Sequence, residues 1–298
     1  MFNNTHTIAN FFADKLPSPL QQIDYALYTD AGIELYIKRD DLIDPIVSGN
    51  KWRKLKYTLI DCIQKGKNHI VTFGGAYSNH LPAVAKVCNT LGLKTTAFVR
   101  GEELTANSNS HLQYCHAQGM ELIFVERQLY KNREYLVQKY YNNTNNIYIV
   151  DEGGRGEFGA KGCEDIITET GIHFDHIFVC VGTGTTLAGI ANAAAHKFQN
   201  AIVNGIVVLK GAEEIENDIK KLCPQSNWVL HHDFHFGGYG KTNNELDNFI
   251  EKYILQTGIP IEFVYTGKMF FGIEELIRTN FLKRGQKVLV VHTGGVSV

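Results

Sequence analysis

The feature that most constrains this chain is a regular alternation of short β-rich runs with helical patterns, repeated from about residue 33 to the end. Strands that alternate with helices build βαβ units, which stack into a mainly parallel sheet with helices on its faces. Strand candidates fall at residues 33–38, 69–73, 95–99, 121–125, 147–150, 176–181, 203–209 and 288–292. Helices are predicted at 54–64, 79–91, 108–118, 129–141, 160–170, 186–196, 243–256 and 268–278. The fold class is therefore α/β. A chain of 298 residues with 44% hydrophobic composition can form two sub-domains, or one large domain with a deep cleft.

The glycines gather where strands end: Gly74-Gly75, Gly153-Gly154, Gly182-Thr183-Gly184, Gly237-Gly238 and Gly294-Gly295. Ligands of open α/β sheets sit beyond the carboxyl ends of the strands, so this clustering points to one shared site. Gly182, Thr183, Gly184, Thr185 and Thr186 lie between an apolar strand and an alanine-rich helix. Backbone N–H groups and hydroxyls at a helix amino terminus suit a phosphate. The loop is neither a Walker A motif nor GxGxxG, since no Gly-Lys-Ser/Thr follows and Leu187 stands three positions after Gly184. A second strand-to-helix turn runs Gly74-Gly75-Ala76-Tyr77-Ser78-Asn79-His80-Leu81-Pro82, where Ser78 or Asn79 also suits a helix cap. Lys51, in Ser48-Gly49-Asn50-Lys51-Trp52-Arg53-Lys54-Leu55, sits at the seam between a strand-like run and a helix and can reach a cleft.

Charge narrows the partners. Lys and Arg number 29 against 31 Asp and Glu, so the basic surplus of a nucleic-acid binder is missing and a small molecule is expected. No stretch of some twenty uncharged apolar residues is present, and the amino terminus lacks a basic stretch followed by an apolar run, so no membrane partner and a cytoplasmic location are expected. The six cysteines are scattered without CxxC or zinc spacing and read as reduced thiols, with no metal site.

Taken together, SGNKWRKL, GGAYSNH, GTGTT, GYG at 238–240, VYTGK at 264–268 and HTGG at 292–295 resemble the fold-type II pyridoxal phosphate enzymes. More narrowly they resemble the branch containing 1-aminocyclopropane-1-carboxylate deaminase and D-cysteine desulfhydrase. The likeness runs from about Arg39 to Gly295 in the family's order. It implies a tryptophan synthase β-subunit-like architecture, with two open α/β lobes and the cofactor between them. The large lobe would comprise residues 1–51 and 158–298, and the small lobe 52–157. Related enzymes are commonly homodimers.

The resemblance also implies roles. Lys51 would carry pyridoxal 5'-phosphate covalently and, once displaced by the substrate amine, would move the α-proton. Its ammonium must first lose a proton, which burial and nearby positive charge from Arg53 or Lys54 would favour. Asn79 would bond the cofactor's ring hydroxyl, and residues 182–186 would hold its phosphate. Ser78 would lie beside the substrate, to bind its carboxylate or take part in proton transfer, with His80 and Tyr239 on the same side. Tyr265 would stand by the ring, with Thr266 and Thr293 near the cofactor.

Two positions separate the branch's activities. Ring-opening deaminases carry glutamate after the ring-side tyrosine and leucine before the terminal glycine pair; here Thr266 and Thr293 stand there, the pattern resembling D-cysteine desulfhydrases. A neutral hydroxyl favours protonation of a pyridine nitrogen less than a carboxylate does, giving a weaker electron sink. Expelling a thiolate, whose thiol has a pKa of about 8.5, asks less of that sink than expelling carbon. The expected reaction is α,β-elimination from D-cysteine, or a β-substituted relative, to pyruvate, ammonia and sulfide. The alternatives are ring opening of 1-aminocyclopropane-1-carboxylate to 2-oxobutanoate and ammonia, and a non-catalytic cofactor carrier or sensor. A dinucleotide-dependent oxidoreductase would need GxGxxG and an acidic residue ending strand 203–209, which runs instead into Lys210. Leu81-Pro82 replaces residues that are more often polar in the branch, which is expected to reshape the substrate side. The chain ends at Val298, three residues past Gly295, where relatives usually continue with a segment that can close the domain or support a dimer.

Overall fold

Runs that are apolar on both faces become the middle of a sheet, because a parallel strand covered by helices has no solvent side. β7 (His176–Val181) is buried at every position, and β10 (Lys287–Val291) at all but its first. In the computed structural model, which describes residues 5–295, they lie side by side in a six-stranded sheet. Its other strands are β1 (Leu20–Gln22), β2 (Glu34–Lys38), β8 (Ile202–Val207) and β9 (Trp228–His231), in the order β1-β2-β10-β7-β8-β9. Only the edge strand β1 is antiparallel; all other pairs are parallel. A second, wholly parallel sheet is ordered β5-β4-β3-β6, from β3 (His69–Gly75), β4 (Lys94–Arg100), β5 (Glu121–Val125) and β6 (Ile147–Val150). The α/β class with mainly parallel sheets flanked by helices is thus the observed one. The short final segment expected after Gly295 lies outside the described residues.

The predicted strands are all present, and the differences lie at edges and helix ends. β1 and β9 are short, partly exposed edge strands without an apolar run, so no periodicity marks them. Three helices are likewise additional: α1 (Thr5–Ala13), α2 (Ala26–Ala31) and α9 (Ile215–Leu222). Ile8 and Phe12 of α1 join Trp52, Leu55 and Leu59 in the apolar cluster beneath the four-stranded sheet. The predicted helix at 129–141 is split into a 3-10 turn (Leu129–Lys131) and α6 (Arg133–Tyr140), whose amino terminus is capped by the Asn132 side chain.

The helix that joins the two sheets, α3 (Asn50–Gln64), starts four residues earlier than predicted, so Lys51 lies in its first turn. It packs on α1 and on α7 (Glu157–Thr168). The junction is held by charge in the interior. Arg53, fully buried, donates to both carboxylate oxygens of buried Asp40 (3.0 and 2.8 Å) and to both oxygens of Glu169 on the turn after α7, one of these bonds at 3.0 Å. Lys38 Nζ donates to the same Glu169 at 2.8 Å, and Ser18 Oγ to Asp40 at 2.6 Å. Burial opposes the Arg53 charge, but Asp40 and Glu169 outweigh it and raise its pKa further.

Removing one member of a buried ion network leaves the others desolvated and unpaired. Arg53→Met is therefore expected to lose about 3–5 kcal/mol of stability, read as a fall in the urea midpoint. Lys65→Met, which breaks the exposed Lys65–Asp61 pair, should lose less than about 1 kcal/mol.

Candidate active site

The carboxyl ends of β2, β10 and β7 are neighbours in one sheet, and those of β3 and β4 in the other; a cavity of about 510 Å³ opens between them. All five glycine-bearing turns singled out in the sequence contribute, but unequally. Gly75, Gly153, Gly182, Gly184, Gly294 and Gly295 line it, whereas from 237–240 only Tyr239 does. The sequence-predicted residues Lys51, Ser78, Asn79, His80, Gly182, Thr183, Gly184, Thr186, Tyr239, Tyr265 and Thr293 all line the cavity. Thr185 and Thr266 do not.

Lys51 reaches this space because the chain turns sharply before it. Gly49 takes φ +62°, and a Cβ there would lie 1.9 Å from the Thr293 carbonyl oxygen, so only glycine lets the start of α3 approach the end of β10. Gly49 N–H donates to the Asp40 carbonyl at 3.0 Å, and Asn50 Nδ2 donates to Thr186 Oγ1 at 2.9 Å. Lys51 Nζ donates to Asn50 Oδ1 at 2.8 Å. Burial first, and the Lys54 charge second, bring the Lys51 pKa down from 10.5 to about 7. Arg53, expected to share in this, does not, because its charge is matched by Asp40 and Glu169.

The loop at 182–186 ends in α8 (Thr185–Lys197), with Gly184 in the left-handed region as its cap. The first N–H groups of that helix have no acceptor within it. Thr183 Oγ1 donates to Thr185 Oγ1 at 3.4 Å; Thr185 is fully buried and packs below the loop.

Across the cleft, α4 (His80–Leu91) follows β3 through the Ser78 turn. Ser78 Oγ accepts the His80 N–H at 3.3 Å. The Asn79 side chain, 3.0 Å from His111 Nε2, reaches towards Gly295, whose Cβ would lie 3.6 Å from Asn79 Nδ2. His80 is buried beneath the turn. Thr72 Oγ1 gives its proton to the Val150 carbonyl (2.7 Å) and so accepts from His80 Nε2 (2.8 Å), leaving the buried Nδ1 without a partner. Burial, Lys51 and Lys54 push the His80 pKa well down, so the ring is neutral. Leu81 and Pro82 face away from the substrate side. Both are buried in the core, with Leu81 packed over Gly74.

The far wall is Tyr265 with Cys180 and Thr293. Tyr265 stacks edge-on with Tyr239, ring centroids 5.8 Å apart, and burial followed by Tyr239 raises its pKa well above the ordinary value. Thr266, the first residue of α11 (Thr266–Arg278), turns inward: Glu262 N–H donates to its Oγ1 at 2.9 Å, and Oγ1 donates to Glu262 Oε1 at 3.2 Å. Glu262 also accepts the N–H groups of Val264, Tyr265 and Thr266. Its carboxylate is thus the helix cap that sets the Tyr265 backbone. Lys268 of the VYTGK stretch is buried and donates to the Gly238 carbonyl at 2.8 Å, tying the Tyr239 loop to α11. Sequence reasoning missed Cys180, Glu262 and Lys268. Period-two alternation along β7 already puts Cys180 and Gly182 on one face, whereas nothing local marked Glu262 or Lys268 as anchors.

A family model for pyridoxal-phosphate dependent enzymes matches residues 14–294. The chain belongs to that family. It is 32% identical over 286 residues to a Pyrococcus horikoshii protein provisionally named 1-aminocyclopropane-1-carboxylate deaminase, covering 90% of this chain and 86% of that one. It is 26% identical over 308 residues to the Arabidopsis thaliana mitochondrial bifunctional D-cysteine desulfhydrase/1-aminocyclopropane-1-carboxylate deaminase, covering 94% and 77%. Among solved structures, an ACC deaminase homologue superposes with a TM-score of 0.82 at 28% identity, covering 97% of this chain and 95% of that one. The protein is a pyridoxal-phosphate-dependent enzyme of a lyase and deaminase family with the fold-type II architecture. No helix among the described residues is long and apolar enough to cross a membrane.

The donors present fit that cofactor. An amine with a lowered pKa, a helix amino terminus rich in hydroxyls and an aromatic ring line the cavity on one side, and a side-chain amide lines it from across the cleft.

The titration of Lys51 is directly testable in the cofactor-free protein. Acylation of Lys51 by an amine reagent, followed by peptide mass spectrometry, should reach half its maximal rate at about pH 7, and Lys54→Met should move that midpoint upward. Folded Lys51 releases its proton near pH 7, whereas an unfolded lysine keeps it to about pH 10.4. The unfolded state therefore binds more protons in between, and the cofactor-free protein gains stability as pH rises through that window.

Proposed function

We propose that this enzyme carries out α,β-elimination on a small amino acid, D-cysteine, which with one water gives pyruvate, ammonia and hydrogen sulfide. The observation that supports this most is the neutral wall beside Tyr265. Cys180 and Thr293 face the cavity there, and Thr266, standing where ring-opening enzymes carry glutamate, spends its hydroxyl on Glu262. Bound pyridoxal phosphate supplies an electron sink for the pair left when the α-proton departs. No carboxylate lines the cavity on that wall, Glu262 standing behind it, so the sink is modest, which suits a thiolate leaving group.

In this reading Lys51 holds the cofactor covalently, and its amine, neutral above about pH 7, takes the α-proton when freed. The bond from Asn50 Oδ1 aims that amine. Thr183, Thr186 and the first turn of α8 hold the phosphate, and Asn79 bonds the ring hydroxyl from the opposite lobe. Ser78 and the start of α4 bind the substrate carboxylate. Tyr239 covers the substrate side, and Tyr265 flanks the ring. His80 supports the Ser78 turn from below through its bond to Thr72. On the family resemblance we take the working unit to be a cytoplasmic homodimer, with residues 52–157 as the small lobe.

A second reading, ring opening of 1-aminocyclopropane-1-carboxylate, is favoured by the name of the Pyrococcus horikoshii relative. Assay of purified holoenzyme with D-cysteine, L-cysteine and the cyclopropane decides between them. Pyruvate and sulfide from D-cysteine are expected, and fast 2-oxobutanoate release with no turnover of D-cysteine would overturn the proposal. Lys51→Ala should leave no pyridoxyl group fixed to the protein after borohydride reduction; a modified peptide carrying another lysine would show the attachment to be wrong.

A further inference from the structure

The cavity has a cationic corner that the elimination reading does not use. Arg100 ends β4 in register with Gly75, the last residue of β3 and the start of the Ser78 turn. Its Nη2 lies 3.4 Å from where a Gly75 Cβ would be, so the guanidinium leans over that glycine into the cavity that it lines. The ring of Tyr130, itself buried, lies 5.7 Å below it and fixes its plane.

Three carboxylates of the neighbouring loops pair with other arginines. Glu103 is bonded by Arg127 at 2.7 Å. Asp151 and Glu152 are both taken by Arg133, the latter at 2.8 Å. Arg100 itself forms no ion pair among the described residues. Those three are engaged by Arg127 and Arg133, and the exposed, planar two-pronged donor of Arg100 is left facing the cavity beside the Ser78 turn. Such a donor matches a carboxylate, sulfonate or phosphate group.

We propose that Arg100 is a subsite for an anionic β-substituent, so that the preferred substrates are alanine derivatives whose leaving group X ends in a negative charge. This rests on the elimination reading and sets such derivatives above D-cysteine, whose thiol is mostly neutral at about pH 7. The α-proton passes to the Lys51 amine, and the electron pair of the Cα–H bond becomes the Cα=Cβ double bond. The Cβ–X bond breaks, with its pair leaving on X, whose anionic end Arg100 has held. One water then releases pyruvate and ammonia from the remaining aminoacrylate. The α-carboxylate stays at the start of α4, and Arg100 reads only what lies beyond Cβ.

Aspartate and asparagine test this without turnover of a leaving group, because they differ in charge and hardly in shape. Each enantiomer, and alanine, is titrated into holoenzyme, with binding read from the shift of the cofactor's visible absorbance. In the unaltered protein one enantiomer of aspartate should bind at least about tenfold more tightly than the matching asparagine. Arg100→Gln should bring that ratio to about one while leaving alanine binding unchanged, and Arg100→Lys should keep part of it. A ratio near one in the unaltered protein, or one that survives Arg100→Gln, overturns the subsite. So does an equal weakening of alanine and aspartate, which would put Arg100 at the α-carboxylate. Failure to release pyruvate from any β-substituted alanine would count against elimination itself and leaves the binding ratio readable.

Discussion

The geometry of the site depends on a charge that water never reaches. Arg53 lies two residues after Lys51 on the same helix, and its guanidinium is saturated by Asp40, Glu169 and Ser18. Burying ions is unfavourable unless every donor and acceptor is matched, and a matched network tolerates little displacement. Asp40 follows β2, Glu169 follows α7, and Lys38, the last residue of β2, completes the set. Two cations and two carboxylates cancel, so the network fixes the first turn of α3 without imposing a net field on the cavity. Lys54 is not so matched: its Nζ has a neutral carbonyl, that of Gly153, as partner. Beyond burial, it is therefore Lys54 that depresses the Lys51 pKa, although Arg53 is nearer in sequence.

Strand order turns this anchored helix into a site. β2, β10 and β7 are consecutive in the large sheet, so the chain after each must emerge at the same edge. Those three exits are the segment leading to Lys51, the Thr293-Gly294-Gly295 turn and the loop at 182–186. Their contacts are short and specific: Gly49 against the Thr293 carbonyl, and Asn50 on the Thr186 hydroxyl. Segments separated by more than a hundred residues thereby hold one another.

Much of this was legible in the sequence. Central strands announce themselves because burial on both faces demands unbroken apolar runs, as in HIFVCV of β7. The glycine turns were legible for the same reason that they matter, since positive φ and close backbone approach admit few other residues. What could not be read were features decided by tertiary pairing. β1 and β9 exist because a neighbour offers them hydrogen bonds, α1 because Phe12 and Ile8 find Trp52, and Lys51 joins the helix because Asp40 seats Gly49, the residue before α3. Thr266 is the instructive miss. Its position after the ring-side tyrosine was legible, but the direction of its hydroxyl depends on Glu262, four residues upstream, whose carboxylate gathers three backbone N–H groups and that hydroxyl into one cap.

That cap separates two functions that a single side chain would otherwise combine. Because Glu262 and Thr266 bond each other, the wall beside Tyr265 is lined by a thiol and a threonine, and the Glu262 carboxylate stands behind it, with Oε1 3.5 Å from where a Gly295 Cβ would lie. The charged side chains lining the cavity lie elsewhere: Lys51 and Lys54 on α3, Arg100 at the end of β4 and Glu152 just after β6. The wall of Cys180 and Thr293 belongs to the large sheet, with helix α11 beside it, whereas the Ser78 turn and Arg100 belong to the small one. In the proposed reaction a change in the small sheet can then alter which amino acid is held without altering how strongly a cofactor draws electrons. The converse holds for the wall of Cys180 and Thr293. Relatives that share most of their sites can in this way differ in substrate and in chemistry by separate steps.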